Sequence, residues 1–106
     1  MAQVKWTIKA DRLFEKYVFN AFLEYGTKTS KKWMQERIAF ADRIAKHPES
    51  YTPEPFLAER NHNYRSCIIM QRFKIVYYYA KSSDIVHVVD IWDTKMSSEN
   101  LKQRIK

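Results

Sequence analysis

The chain has 106 residues, 45% of them hydrophobic and 15% aromatic, and 19 Lys/Arg against 12 Asp/Glu give a net charge of +7. That length implies one domain over 1–106 with a modest core, because two domains would each be too small to bury one. Gly26 is the only glycine and Cys67 the only cysteine, which excludes a Gly-rich phosphate loop, an internal disulfide and a thiolate-rich zinc site.

No run approaches the roughly 18 to 20 apolar residues of a membrane span, and no N-terminal leader pattern is present. A soluble, cytoplasmic protein without membrane contact is expected. His47, His62 and His87 are scattered without the spacing that converges ligands on one ion, so neither a metal nor any other cofactor is expected. Cys67 reads as a buried strand cysteine.

Val4, Trp6 and Ile8 alternate with Lys5, Thr7 and Lys9, the period-2 pattern of a short, half-buried strand. Asp11 is placed to cap a helix in which Leu13, Phe14, Tyr17, Val18, Ala21, Phe22 and Tyr25 form a broad apolar stripe, and Gly26 ends it. Thr27 to Ser30 offers capping hydroxyls for a second helix with Met34, Ile38, Ala41, Ile44 and Ala45 on one face, stopping at His47 before Pro48. So short a turn makes the two helices an antiparallel hairpin. Ser50 to Asn63, with Pro53 and Pro55, reads as a surface connector.

Tyr64 to Met70, Phe73 to Ala80 and Asp84 to Trp92 read as three strands, separated only by Gln71-Arg72 and Lys81-Ser82-Ser83, and therefore paired antiparallel. Ser97 or Ser98 can cap a short C-terminal helix with Leu101 and Ile105 as an i, i+4 pair. The expected fold is α+β: an N-terminal strand, an antiparallel helical hairpin, a three-stranded antiparallel meander completing a four-stranded sheet, and a short C-terminal helix.

Positive charge concentrates on the strand region. Residues 1–59 hold ten basic against eight acidic residues, net +2, and residues 60–106 hold nine against four, net +5. Such a field attracts nucleic acid or an acidic protein segment. Strand parity puts Tyr64, Ser66, Ile68 and Met70 with Phe73, Ile75, Tyr77 and Tyr79 on the face packed against the helices. Arg65, Cys67, Ile69, Lys74, Val76 and Tyr78 then share the helix-free face with Asp90 and Trp92. Trp6 and Trp33 read as packing residues, and Arg65 is placed to pair with Asp90 across the sheet.

The order of these parts resembles the RelE/ParE toxin superfamily. The likeness covers roughly residues 3 to 105: a strand, a helical hairpin ending in His47-Pro48-Glu49, then Tyr64-Arg65-Ser66, Phe73-Lys74-Ile75-Val76-Tyr77 and Ile85-Val86-His87-Val88-Val89-Asp90-Ile91. The resemblance implies the toxin of a type II toxin-antitoxin (plasmid stabilization) module, its basic surface wrapped by a cognate acidic antitoxin in a hetero-oligomer. It implies one of two growth-inhibiting actions, RelE-like cleavage of mRNA on the ribosome or ParE-like poisoning of DNA gyrase.

RNA cleavage through a 2′-hydroxyl needs a base, cations around the phosphorane and an acid for the leaving oxygen. Carried over by position, Arg65 and Lys74 keep charge on the first two hairpin strands, and Tyr78 can stack a base or donate a proton. The second basic position falls on Cys67 and the post-strand motif on Asp93-Thr94-Lys95, where only Lys95 substitutes. No tyrosine follows Tyr79 and no histidine follows His87. The candidate catalytic set is thus Arg65, Lys74 and Tyr78, and the candidate antitoxin- or target-binding set is Arg65, Lys74, Tyr78, Asp90, Trp92 and Lys95. With its nuclease constellation incomplete, the chain reads closer to ParE-like members. A ribosome-dependent endoribonuclease is the alternative, and a catalytically inactive regulatory relative the third reading.

Overall fold

Residues 1–95 are described by the computed structural model. They form β1 (Gln3–Trp6), α1 (Ile8–Tyr25), α2 (Thr27–Lys46), one turn of 3₁₀ helix (Pro55–Leu57), β2 (Tyr64–Ile69), β3 (Phe73–Ala80) and β4 (Ile85–Asp93). The expected C-terminal helix lies outside the described residues. The order of elements is the expected one, and β2, β3 and β4 are an antiparallel meander. The sheet is mixed, because β1 adds to its edge parallel to β4, giving the order β1-β4-β3-β2.

The N-terminal alternation stops one residue pair early. Thr7, not Asp11, caps α1: its hydroxyl accepts the Ala10 N–H at 3.1 Å. Ile8 is thereby drawn into the first helical turn and left exposed rather than placed on a strand. Asp11 sits in that first turn, where a carboxylate complements the helix dipole, and pairs with Arg37 of α2 at 2.6 Å. That cross-link joins the start of α1 to the second half of α2, as an antiparallel hairpin requires. Gly26, at φ 92°, ends α1 by donating its N–H to the Phe22 carbonyl at 2.9 Å and starts α2 without a side-chain cap. A Cβ there would meet nothing within 4 Å, so what demands glycine is the left-handed backbone itself.

The core lies between the helices and one sheet face. Ala10, Phe14, Phe40 and Ile44 meet Phe73, Ile75, Tyr77, Val86, Val88 and Ile91. Tyr17 stacks on Phe73 at 4.4 Å between ring centroids, and Trp6 meets Phe14 and Phe40 edge-on beneath the Arg37 guanidinium. The buried line of α2 runs through Phe40 and Ile44, flanked by Trp33 and Arg37. Met34 and Ile38, one position along, stay 53% and 69% exposed, so the face read from the sequence is rotated toward solvent at its N-terminal half. The Tyr77 hydroxyl donates to the Pro48 carbonyl at 2.9 Å and ties the sheet to the end of the hairpin.

Two register details decide the faces. Arg65, Cys67 and Ile69 stand opposite Tyr77, Ile75 and Phe73, so they belong to the helix side; the expected parity of β2 is inverted by one residue. On β4, Tyr77 pairs with Val88 but Val76 pairs with Asp90, and Val89 is the extra residue of a β-bulge. Strict alternation along β4 therefore breaks, and both Val88 and Ile91 face the helices.

The 50–63 segment is not a surface connector. Glu54 N–H bonds to the Tyr64 carbonyl at 2.8 Å and Ser66 N–H to the Thr52 carbonyl at 3.2 Å, which lays the segment along β2. From there it crosses the helix-free face and buries Leu57 with Tyr64, Val76 and Trp92 in a second, smaller core.

Candidate functional site

The helix-free face is organised in rows that cross the strands. In the row nearest the β3-β4 turn, Lys5 of β1 pairs with His87 of β4, His87 with Tyr78 of β3, and Tyr78 with Tyr64 of β2. The next row holds Asp90, Val76 and Ser66, and the third Trp92, Lys74 and Ile68. The covering segment closes over Val76 and Trp92 of the second and third rows, leaves Ile68 exposed at the β2 edge and has the first row at its rim.

In the covered rows, Glu54 is fully buried and forms the hub of a polar cluster. One carboxylate oxygen accepts the Phe56 N–H at 3.2 Å; the other accepts the Ser66 hydroxyl at 2.5 Å and the Lys74 ammonium at 3.0 Å. Burial pushes the Glu54 carboxyl up, but the hydrogen bonds from Ser66, Lys74 and Phe56 outweigh it and hold the group below its ordinary value. The Lys74 ammonium also lies 5.7 Å from the Phe56 ring centroid. Lys74 is thus occupied, with a fifth of its side chain exposed.

The rim row is aromatic. His62, just ahead of β2, stacks on Tyr78 at 3.9 Å between centroids with planes 8° apart, and His87 stacks on it at 4.9 Å and 24°. Tyr64 meets Tyr78 and His62 edge-on at 5.6 and 5.8 Å. Burial, then Lys5 and His62, lower the pKa of His87, so this imidazole is neutral at neutral pH.

The structure gathers Lys74, Tyr78, Asp90 and Trp92 on the helix-free face and separates Arg65 from them. Arg65 donates to the Tyr51 carbonyl at 2.7 Å and lies 3.7 Å from Glu49. The expected Arg65–Asp90 pair does not form: Asp90 is buried, accepts the Ile91 N–H at 2.8 Å and lies 3.7 Å from Lys9. Trp92 and Val76 are buried beneath the covering segment, and Ile69 is in the helix-side core rather than on the helix-free face where parity puts it, so these three form no exposed apolar surface. Lys95 follows β4, its N–H donating to Asp93. Cys67 packs against the helix-side core, and burial pushes its thiol up to about 12, which suits an inert packing residue.

Glu54, Ser66, His62 and His87 escaped the sequence reading. Their only local signal is residue type; what assembles them is the path of 50–63 over the sheet. Among the described residues no group of three or more His, Cys, Asp or Glu could hold a metal ion, and no helix is long and apolar enough to cross a membrane.

A large apolar surface lies elsewhere. Between α1 and α2, on the side away from the sheet, a cleft of about 570 Å³ is lined by Phe14, Val18, Phe19, Phe22, Met34 and Ile38 among others. Phe19, Phe22, Met34 and Ile38 are 47–69% exposed, which is unusual for side chains of that size grouped together.

No family model matches the sequence, and no curated protein matches it. Among solved structures, a chain of the chromosomal ParDE toxin-antitoxin system from P. aeruginosa superposes with a TM-score of 0.69 at 15% identity, covering 88% of this chain and 96% of that one. The chain has the fold of the RelE/ParE toxins. A metal-bound toxin from Helicobacter pylori is also similar, with a TM-score of 0.59 at 15% identity, covering 90% of this chain and 97% of the other.

Proposed function

We propose that this protein is the toxin of a type II toxin-antitoxin module, a cytoplasmic, ParE-like growth inhibitor that acts by binding, with DNA gyrase as the target, and is neutralised by a cognate acidic antitoxin. The observation that carries the binding reading over a nuclease one is the separation of Arg65 from Lys74 and Tyr78 by the sheet itself. A single phosphodiester cannot touch all three, and Lys74 is already committed to Glu54. A phosphorane would lack the convergent cations that its charge requires.

For the antitoxin, the hairpin cleft supports a docking role that the buried Trp92 does not. Residues 8–46 hold nine Lys/Arg against five Asp/Glu, net +4. An amphipathic helix with acidic flanks and apolar residues at i, i+3, i+4 and i+7 complements both the charge and the groove. A second copy of the chain, itself at +7, would bring like charges together there.

The test pairs growth with capture. Induction of the chain alone arrests growth, and co-expression with its acidic genomic neighbour restores it and yields a co-purifying complex. Ile38→Glu, at an exposed position, leaves the fold intact but loses both rescue and capture. Failure of the wild-type pair to co-purify would falsify the antitoxin reading. Discrete mRNA cleavage after brief induction, with intact DNA, would replace gyrase poisoning with the nuclease alternative.

A further inference from the structure

We propose that Met34 is a reversible oxidation site, at which a hydroperoxide converts the thioether to the sulfoxide and so closes the hairpin cleft to the antitoxin. The proposal rests on the antitoxin reading and adds a regulation of that same surface.

The sulfur atoms of the chain single Met34 out. There are four methionines and one cysteine. Met70 is buried in the core, and Cys67 packs against that core, where burial raises its thiol to about 12 and withholds the reactive thiolate. Met1 is exposed but does not line the cleft, and Met96 lies outside the described residues. Met34 stands 53% exposed on α2 and lines the cleft with Phe14, Val18, Phe19, Phe22 and Ile38. A thioether has no proton to lose before it reacts, so exposure alone opens it to a two-electron oxidant.

The step is an oxygen transfer. The sulfur attacks the terminal oxygen of the hydroperoxide, and the S–O bond forms as the O–O bond breaks. Sulfur gives up two electrons. The leaving oxygen takes the proton of the transferred one and departs as water or an alcohol. Methionine sulfoxide reductases, one for each epimer, return the thioether.

The cleft is poorly equipped to accept the product. Its polar side chains are already engaged: the Ser30 hydroxyl donates to the Thr27 carbonyl at 2.9 Å, and Arg37 is held by Asp11 at 2.6 Å beneath its place over the Trp6 ring. Glu15, when ionised, can only accept. A sulfoxide sealed under the apolar face of a docked helix is therefore a buried polar oxygen without its hydrogen bond, which weakens docking by about ten-fold or more. In the free chain water reaches the same oxygen, so the fold is unaffected. A bound antitoxin also covers the sulfur. Oxidation thus strikes the chain that has lost its antitoxin and delays its recapture.

The experiment uses the full chain and its acidic genomic neighbour. The chain is treated with hydrogen peroxide, the added oxygen is located by peptide mass mapping, and binding of the neighbour is measured by calorimetry before and after. Wild type oxidised at Met34 binds about ten-fold or more weakly, and the reductases restore it. Met34→Leu, whatever its own affinity, loses nothing further on treatment, and Met34→Gln loses affinity without peroxide. Bound neighbour slows oxidation of Met34 more than that of Met1. Unchanged binding once Met34 is oxidised, an equal effect of peroxide in Met34→Leu, or equal oxidation rates with and without the neighbour overturns the proposal while leaving the antitoxin reading in place. Failure of the untreated chain to bind the neighbour removes the antitoxin reading, and this proposal with it.

Discussion

Replacing Lys74 by methionine keeps the length and apolar stem of the side chain and removes the ammonium 3.0 Å from Glu54, whose carboxylate is wholly buried. Breaking a buried ion pair on one side costs about 3 to 5 kcal/mol, because the remaining charge has lost its partner. Here Ser66 and the Phe56 N–H still bond the carboxylate, and Lys74 is one-fifth exposed, so about 2 to 3 kcal/mol is expected. The pH dependence gives the sharper check. In the wild type the Glu54 carboxyl is held below its ordinary value. Its stabilisation is therefore present above the unfolded carboxylate pKa of about 4.3 and is lost as pH falls through the lower folded value. Without Lys74 the burial effect that raises the pKa gains weight, and the group is more easily relieved by protonation. The deficit of Lys74→Met is then largest near neutral pH and shrinks as pH is lowered through the carboxylate range, and the double variant with Glu54→Gln recovers most of it. Urea unfolding followed by tryptophan fluorescence across that range measures all of this. A deficit that is constant with pH and unrelieved by Glu54→Gln would show that the pair is not what stabilises this face.

Tyr77→Phe removes the hydroxyl bonded to Pro48 and costs about 1 to 2 kcal/mol in denaturant unfolding. Burial pushes that phenol up to about 12, so its contribution is complete below the unfolded value of about 10 and fades as pH rises through the folded one. A tyrosinate absorbance titration should lose its latest-titrating phenol in the variant. Gln71→Gly, at φ 56° in the β2-β3 turn where Met70 is also at φ 53°, relieves a left-handed L-residue. It raises stability by about 1 kcal/mol, readable as a shift in the urea midpoint. Thr7→Ala deletes the α1 cap and lowers stability by about 1 kcal/mol in the same assay.

Much of the architecture is local and was legible. The stripe in 13–25, Gly26, and the β-branched and aromatic runs at 64–70, 73–80 and 84–92 set the helical hairpin and the meander, because period and turn chemistry act over a few residues. Lys74, Tyr78, Asp90 and Trp92 fall on one face, as strand parity predicts, for the same reason. Parity failed at Arg65, since nothing in six residues of β2 says whether the turn through Met70, Gln71 and Arg72 adds an odd or even step. It failed again at Val89, where a bulge inserts a residue without a sequence mark. The parallel pairing of β1 with β4, the burial of Glu54 and Leu57 over Trp92, and the alignment of Lys5, His87, Tyr78 and Tyr64 all join residues far apart in the chain. Period and turn chemistry by themselves determined which segments are helix and strand. Only tertiary packing decided which side chains meet, because register between strands is chosen by the whole buried surface and not by any one of them.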